Sequence, residues 1–276
     1  MAAIVTEAGE VQEAFSEIML DLLWGIEQPP VPTAMDHAYR MIWQQIVTGE
    51  HGQGARLNDS DLATRLGLSR TPVRQALYRL AQEGLVRADA RHGFSVRTFT
   101  VQDVHEIYDV RRALEMTALR LAIPNLTMKE LTTELDAVHT LQDTFETCSV
   151  AVLFQSDLRF HKLLIHGSRN GRLIRFLATL RSQSGIIQYW DTSYRRRNRV
   201  ALDEHERVLQ ALVAGKTDEA EVLLDQHLVN SKHGVLADLF DVDAGTAAVS
   251  SGGALGASPG SQGHPTHDRT AGKSMC

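Results

Sequence analysis

Two glycines, Gly67 and Gly84, bracket a stretch with room for one short helix and little else. A glycine just past the last apolar residue is an ordinary helix stop. Within the stretch, Thr71-Pro72 reads as a hydroxyl N-cap with proline at the first helical position. Val73, Ala76, Leu77 and Leu80 then recur at i, i+3, i+4 and i+7, which is one buried stripe. A shorter helix precedes it, opening after Asn58, carrying Leu62, Ala63 and Leu66 and closed by Gly67. Before that, a helical pattern runs from Met35 to Gly49 through Ile42, Trp43 and Ile46. After Gly84, Leu85-Val86-Arg87 and Phe94-Ser95-Val96 read as two short strands joined by a turn containing Gly93. Three helices followed by a two-stranded wing describe a winged helix-turn-helix.

Charge falls in the same place. From Arg56 to Arg97 there are eight arginines against four acids (Asp59, Asp61, Glu83 and Asp89), while the whole chain carries a net charge of −6. A local basic segment in an acidic chain is the footprint of phosphate binding. The face of the third helix opposite its apolar stripe presents Arg74, Gln75, Tyr78 and Arg79. Arginine pairs bidentately with guanine and glutamine with adenine, so this face has groove-reading chemistry. A solvated arginine face has the same composition; the cap, the stripe and the wing glycine favour double-stranded DNA.

Beyond Phe99 every segment has helical spacing. Thr100-x-x-Asp103 and Thr127-x-x-Glu130 open helices as capping boxes, with Pro124 between them. Further helices are expected over 149–167, 171–190, 198–214 and 217–239. The expected fold is mainly α, with a winged helix-turn-helix over 34–98 and an all-helical bundle over 99–240. Residues 1–33 form an N-terminal extension with helical spacing from Val11 to Ile26, ended by Pro29-Pro30. Residues 241–276, rich in Gly, Ser, Ala and Thr with no apolar period, read as a disordered tail. No apolar run approaches the roughly 18 residues of a membrane span, and the first residues lack the pattern of a signal peptide. Two cysteines, Cys148 and Cys276, are too few for a disulfide framework, and the expected compartment is the cytoplasm.

Four polar residues interrupt apolar helix faces in the rear part. Asp157 and His161 stand at i, i+4 between Leu153 and Leu164, His205 lies between Leu202 and Leu209, and His227 follows Leu223-Leu224. A single histidine in such a place is ordinarily a hydrogen-bonded core residue. A buried carboxylate beside it needs a cation or several donors. Three imidazoles and one carboxylate from three helices suit a divalent metal, and these ligand types admit Zn, Ni, Mn or Fe. Arg195-Arg196-Arg197 and Arg199 form a basic run that fits a solvated helix start, an effector carboxylate or a DNA backbone.

The run Leu62-Ala63-x-x-Leu66-Gly67-Leu68-Ser69-Arg70-Thr71-Pro72-Val73-Arg74-Gln75-Ala76-Leu77-x-Arg79-Leu80-x-x-Glu83-Gly84-Leu85 resembles the GntR family of bacterial transcription regulators, with Gln75 where the family pattern has Glu. The resemblance implies operator contacts from Ser69, Arg70, Thr71 and Arg74, with His92-Gly93 at the wing tip. Asp157-Leu158-Arg159-Phe160-His161, Glu204-His205 and the segment from Glu219 to His227-Leu228 resemble the metal-site motifs of its FadR-like (FCD) branch. Asp109-Val110-Arg111-Arg112-Ala113-Leu114-Glu115 resembles that branch's first ligand-domain helix. It implies a metal held by Asp157, His161, His205 and His227. It also implies an organic-acid effector whose carboxylate faces Arg111; from its surroundings in sequence alone, Arg111 fits a surface ion pair equally well. The expectation is a homodimeric, ligand-responsive repressor that binds operator DNA and has no membrane partner. The alternative from another class is a metal-dependent enzyme acting on an organic acid, because Asp/His sites with open positions activate water.

Overall fold

The computed structural model describes residues 33–47, 49–189 and 193–240. The N-terminal helix and the disordered tail expected at the two ends lie outside the described residues.

Helix α1 (Ala34–Val47) buries Tyr39, Ile42, Trp43 and Ile46, and Asp36 in its first turn accepts from the Thr33 amide and hydroxyl. Helix α2 (Asp59–Leu66) is capped by the Asn58 side chain, which accepts from the amides of Ser60 and Asp61, and stops at left-handed Gly67. Helix α3 (Arg70–Gln82) buries Val73, Ala76, Leu77 and Leu80 completely, as the stripe requires. Its start corrects the expected cap. Ser69 is the N-cap, without a side-chain hydrogen bond, and Thr71 and Pro72 are the second and third helical residues. Proline is tolerated there because the first four amides of a helix have no partner inside it.

Strands β2 (Val86–Asp89) and β3 (Gly93–Val96) pair antiparallel, with Val86 opposite Val96 and Asp89 opposite Gly93. Gly93 therefore opens the returning strand instead of lying in the turn. The turn is fixed by Asp89, whose carboxylate accepts from the amides of Arg91 and His92. A further strand, β1 (Arg56–Leu57), pairs with the other edge of β3 and gives the order β1-β3-β2. Two residues carry no readable period, so this strand leaves no trace in the sequence pattern.

Among the described residues six helices follow: α4 (Val101–Ala122), α5 (Met128–Asp143), α6 (Val150–Gly167), α7 (Gly171–Tyr189), α8 (Tyr194–Val213) and α9 (Thr217–Phe240). Both capping boxes form, at Thr100 with Asp103 and at Thr127 with Glu130. Helix α8 begins at Tyr194, earlier than the expected 198, because Tyr194 and Asn198 are both buried. The arginine run thus falls in its first turns. Arg195 donates to the carbonyls of Phe145 and Cys148, and Arg196 and Arg197 both donate to Asp238. Helix α4 packs on α6, α7 and α9, and α8 packs on α5, α6 and α9, so α4, α6, α8 and α9 surround one interior. Among the described residues no helix is long and apolar enough to cross a membrane.

The end of α3 touches α7. The Gln183 side-chain amide donates to the Glu83 carbonyl at 2.7 Å, and Arg97 pairs with Asp103 nearby in sequence. Gly84, at φ 74°, sits against this contact: a Cβ there would stand 2.5 Å from Gln183 Nε2. Gly93 has a similar φ of 78° with nothing within 4 Å. Gly93→Ala is expected to cost about 1–2 kcal/mol, the usual penalty of the left-handed region. Gly84→Ala should cost more, because Gln183 must also give up its bond. Urea unfolding of both variants tests this; equal losses would show that Gln183 moves aside freely.

Candidate metal centre and nucleic-acid interface

The polar residues that interrupt the rear helix faces meet in one place. His161, His205 and His227 are all buried, and one ligand atom from each lies within 4.8 Å of the others. His227 Nε2 is 3.2 Å from His205 Nε2 and 3.3 Å from His161 Nε2. Asp157, one turn before His161 on α6, brings a carboxylate oxygen to 3.7 Å from His161 Nε2 and 3.9 Å from His205 Nε2. The four residues named from the sequence therefore share one site, contributed by α6, α8 and α9.

The neighbours decide which imidazole nitrogens carry protons. His161 Nδ1 lies 2.5 Å from Glu115, and His227 Nδ1 lies 2.8 Å from Glu204. A carboxylate at Nδ1 holds the proton there and leaves a lone pair on Nε2. Two such lone pairs then stand 3.3 Å apart, a spacing that a cation between them suits; the protein nitrogens nearest to them are Arg111 Nη2, 3.4 Å from His161 Nε2, and His205 Nε2, 3.2 Å from His227 Nε2. Tetrahedral ligand atoms around an ion at about 2.0–2.1 Å stand about 3.3 Å apart, so the histidine spacing fits a bound metal. The ring of Phe160 stacks on His205 at 3.8 Å between centroids and fixes its plane.

Electrostatics prepare the same atoms. Burial and the Arg181 charge push His161 down to about 4, against the pull of Glu115 and Asp157. Burial, then His227 and His161, also hold His205 well below its usual value. Both are neutral near pH 7, the form that binds metal. Burial raises the Asp157 carboxyl, but the Arg181 charge beside it outweighs this and keeps Asp157 ionised. Glu115 is likewise raised by burial and brought well below the carboxylate range by Arg111 and His161.

Arg111 is buried, not on the surface. Its Nε donates to Glu115 at 2.5 Å, Nη2 lies 3.4 Å from His161 Nε2, and Nη1 is buried without a hydrogen-bond partner. Two residues escaped the sequence reading. Glu115 carries the signal of an i, i+4 pair with Arg111. Arg181 donates to Asp157 at 2.6 Å and sits on the buried stripe Ile174, Leu177, Arg181, Ser184, Gln188, where an arginine is out of place unless paired. A cavity of about 200 Å³ opens beside the cluster, lined among others by Asp157, Gln188, Asn198, Glu204, His227 and Ser231.

In the front part, Ser69, Arg70, Thr71, Arg74, Gln75 and Tyr78 all lie exposed along α3 or its cap, and His92 and Gly93 are exposed at the wing. Arg74, Tyr78, His92 and Gly93 line one cleft of about 630 Å³ between α3 and the wing. Ser69, Arg70, Thr71 and Gln75 do not line it; they stand toward the start of α3, where backbone amides favour phosphate. The Tyr78 ring meets Phe94 of β3 edge-on at 5.0 Å and joins helix to wing.

The model of bacterial regulatory proteins of the gntR family matches residues 34–96, and the FCD domain model matches residues 106–230. The chain is 31% identical over 183 residues to the HTH-type transcriptional regulator YdhC of Bacillus subtilis, covering 66% of this chain and 81% of that protein. It is 31% identical over 175 residues to the Nta operon transcriptional regulator of Aminobacter aminovorans, covering 63% and 81%. Among solved structures, E. coli McbR/YncC is similar with a TM-score of 0.64 at 23% identity, covering 74% of this chain and 98% of that one; this is a likeness of fold.

Two expectations follow from the geometry. Arg181→Ala should cost about 3–5 kcal/mol in the presence of chelator, because it strands a buried carboxylate. Asp157→Asn added to it should restore part of that loss; no restoration in denaturant titrations would mean the two do not act as a pair. Arg74→Ala should weaken binding to a duplex selected by the wild-type chain by about 1–3 kcal/mol, with little change in melting temperature. Wild-type affinity for both the selected and a scrambled duplex would remove Arg74 from the interface.

Proposed function

Because this chain belongs to the GntR family of bacterial regulatory proteins, carries an FCD domain and is a DNA-binding transcription regulator, we propose that it is a cytoplasmic homodimeric repressor released by a small carboxylate bound beside a divalent metal. The family sets aside the metal-dependent enzyme. The observation that carries the reading is the pair of Nε2 lone pairs, on His161 and His227, turned toward one point by Glu115 and Glu204.

In this reading His161, His205, His227 and Asp157 hold the ion, which is Zn, Ni, Mn or Fe on ligand type. When bound, the ion supplies a Lewis-acidic anchor for a carboxylate oxygen. Charge favours such a ligand. Arg111 and Arg181 already balance Glu115 and Asp157, so a divalent ion brings positive charge that Glu204 alone does not offset. A cavity of about 200 Å³ is below the roughly 300 Å³ of the smaller drug-sized pockets, which selects a compact acid. Gln188, Asn198 and Ser231 offer hydrogen bonds from the cavity wall; Arg111, proposed as a second contact through its unpartnered Nη1, is not among the residues that line this cavity. On the DNA side, Ser69, Arg70, Thr71, Arg74, Gln75, Tyr78, His92 and Gly93 meet the operator, and dimer symmetry sets the half-site spacing. The route between the two sites is α7, which holds Asp157 through Arg181 and the end of α3 through Gln183.

The full chain should bind one divalent ion per protomer, with a gain of roughly 2.7 kcal/mol at a hundredfold excess over the dissociation constant. His205→Ala should lose metal and the response to a panel of small mono- and dicarboxylic acids, while binding of the selected duplex without acid largely survives. Elemental analysis, melting with and without chelator, and duplex titrations measure these. Wild-type protein with no metal and no chelator-dependent shift in melting would leave the cluster as a metal-free polar core.

A further inference from the structure

Asp59 sets an acid among the arginines of the basic segment. It is the first residue of α2, and its side chain is only 13% exposed. Both of its oxygens accept from Arg70, at 3.0 and 3.2 Å, and one accepts from Arg74 at 3.2 Å. Arg74 passes its other terminal nitrogen to the Tyr78 hydroxyl at 3.4 Å, and Tyr78 rests on Phe94 of the wing. A single carboxylate thus holds two arginines of the DNA-reading face and, through them, joins the starts of α2 and α3 to the wing.

The other acids of the basic segment do different work. Glu83 is tied to Tyr39 and Arg79, and Asp89 fixes the wing turn and pairs with His92. Asp61 is exposed on α2. An acid at the first turn of a helix also suits the helix dipole, and that role needs no arginine. Two arginines converging on one carboxylate go beyond it.

We propose that Asp59 is a specificity-determining residue of the DNA reader: it competes with phosphates for Arg70 and Arg74, and so lowers affinity for DNA of any sequence more than affinity for the operator. The proposal rests on the reading that these two arginines touch the duplex. Binding to unspecific DNA is almost wholly phosphate neutralisation, so a built-in anion takes its full effect there. At an operator, base contacts add energy that phosphate alone does not, and they reward arginines already held in one orientation. Arg70 bonds Asp59 through one terminal nitrogen only. A guanidinium has five donors, so the hold still leaves groups for the duplex.

The test uses the full chain, a duplex selected from a random library by the wild-type protein, and a scrambled duplex of equal composition. Asp59→Asn keeps the shape and removes the charge; Asp59→Glu keeps the charge. For Asp59→Asn, affinity for the scrambled duplex should rise about threefold to tenfold near 0.1 M salt. Its slope of log affinity against log salt should steepen by about one unit, one more phosphate being engaged. The selected-to-scrambled ratio should fall by a similar factor, and Asp59→Glu should stay close to wild type on the scrambled duplex. Melting curves check that each variant folds. An unchanged ratio in Asp59→Asn, or an Asp59→Glu chain that behaves like Asp59→Asn, overturns the proposal. Full affinity for both duplexes in the double variant Arg70→Ala/Arg74→Ala overturns the underlying contact reading, and this inference with it.

Discussion

Four buried charges in the helical part cannot exist singly. Arg111, Glu115, Asp157 and Arg181 are each at most 6% exposed, and they come from α4, α6 and α7. An isolated ion in such a place carries a penalty of several kcal/mol, which pairing offsets only when the geometry is good. Here the pairs are short, 2.5 Å for Arg111 with Glu115 and 2.6 Å for Arg181 with Asp157, and they sum to no net charge. His161 and His205 stay neutral, chiefly because burial disfavours the imidazolium, with the Arg181 charge adding to that at both. Well-packed apolar side chains would serve stability as well, so stability alone does not account for the arrangement. What it supplies that leucines would not is a set of neutral nitrogens and an ionised oxygen held at fixed positions.

That logic explains what the sequence discloses. A polar residue on an apolar stripe is visible because it breaks a period, and Asp157, His161, His205 and His227 all do so. The winged helix-turn-helix is visible because its helices are short, amphipathic and punctuated by Gly67 and Gly84. Glu115 and Arg111 are harder, since α4 carries charge on several faces, and an i, i+4 Arg/Glu pair reads first as a surface bridge. Arg181 was legible in principle. It stands four residues after Leu177 on a buried stripe, but the stripe continues into Ser184 and Gln188, and its apolar character fades there. Strand β1, two residues long, was not legible at all, because its partner β3 is distant in sequence.

The helix start at Ser69 shows a different limit. Propensity allows either Ser69 or Thr71 as the cap, and proline tolerates either position. Tertiary packing decides between them. The earlier start places Arg70 in the first turn, beside Asp59, and turns the two arginines toward one acid. Local rules name the helix; the neighbouring helix sets its register at the end proposed to meet DNA.

Helix α7 joins the buried charge network to the close of α3 by a simple feature of helical geometry. Arg181 and Gln183 are two residues apart, and such side chains point about 200° from each other around the axis. One therefore enters the buried network while the other meets the Glu83 carbonyl at the close of α3. In the proposed reading, a displacement of Asp157 that carries Arg181 with it would reach the end of the helix proposed to read DNA. The strength of that link has a natural scale. A hydrogen bond such as Gln183 to Glu83 contributes about 0.5–1.5 kcal/mol net. In the proposed dimer two heads share one operator, so the terms add to about 1–3 kcal/mol, or roughly fivefold to 150-fold in affinity. An effector reaches that range if it prefers one arrangement of α7 by the same amount, and a larger preference gains nothing through this contact.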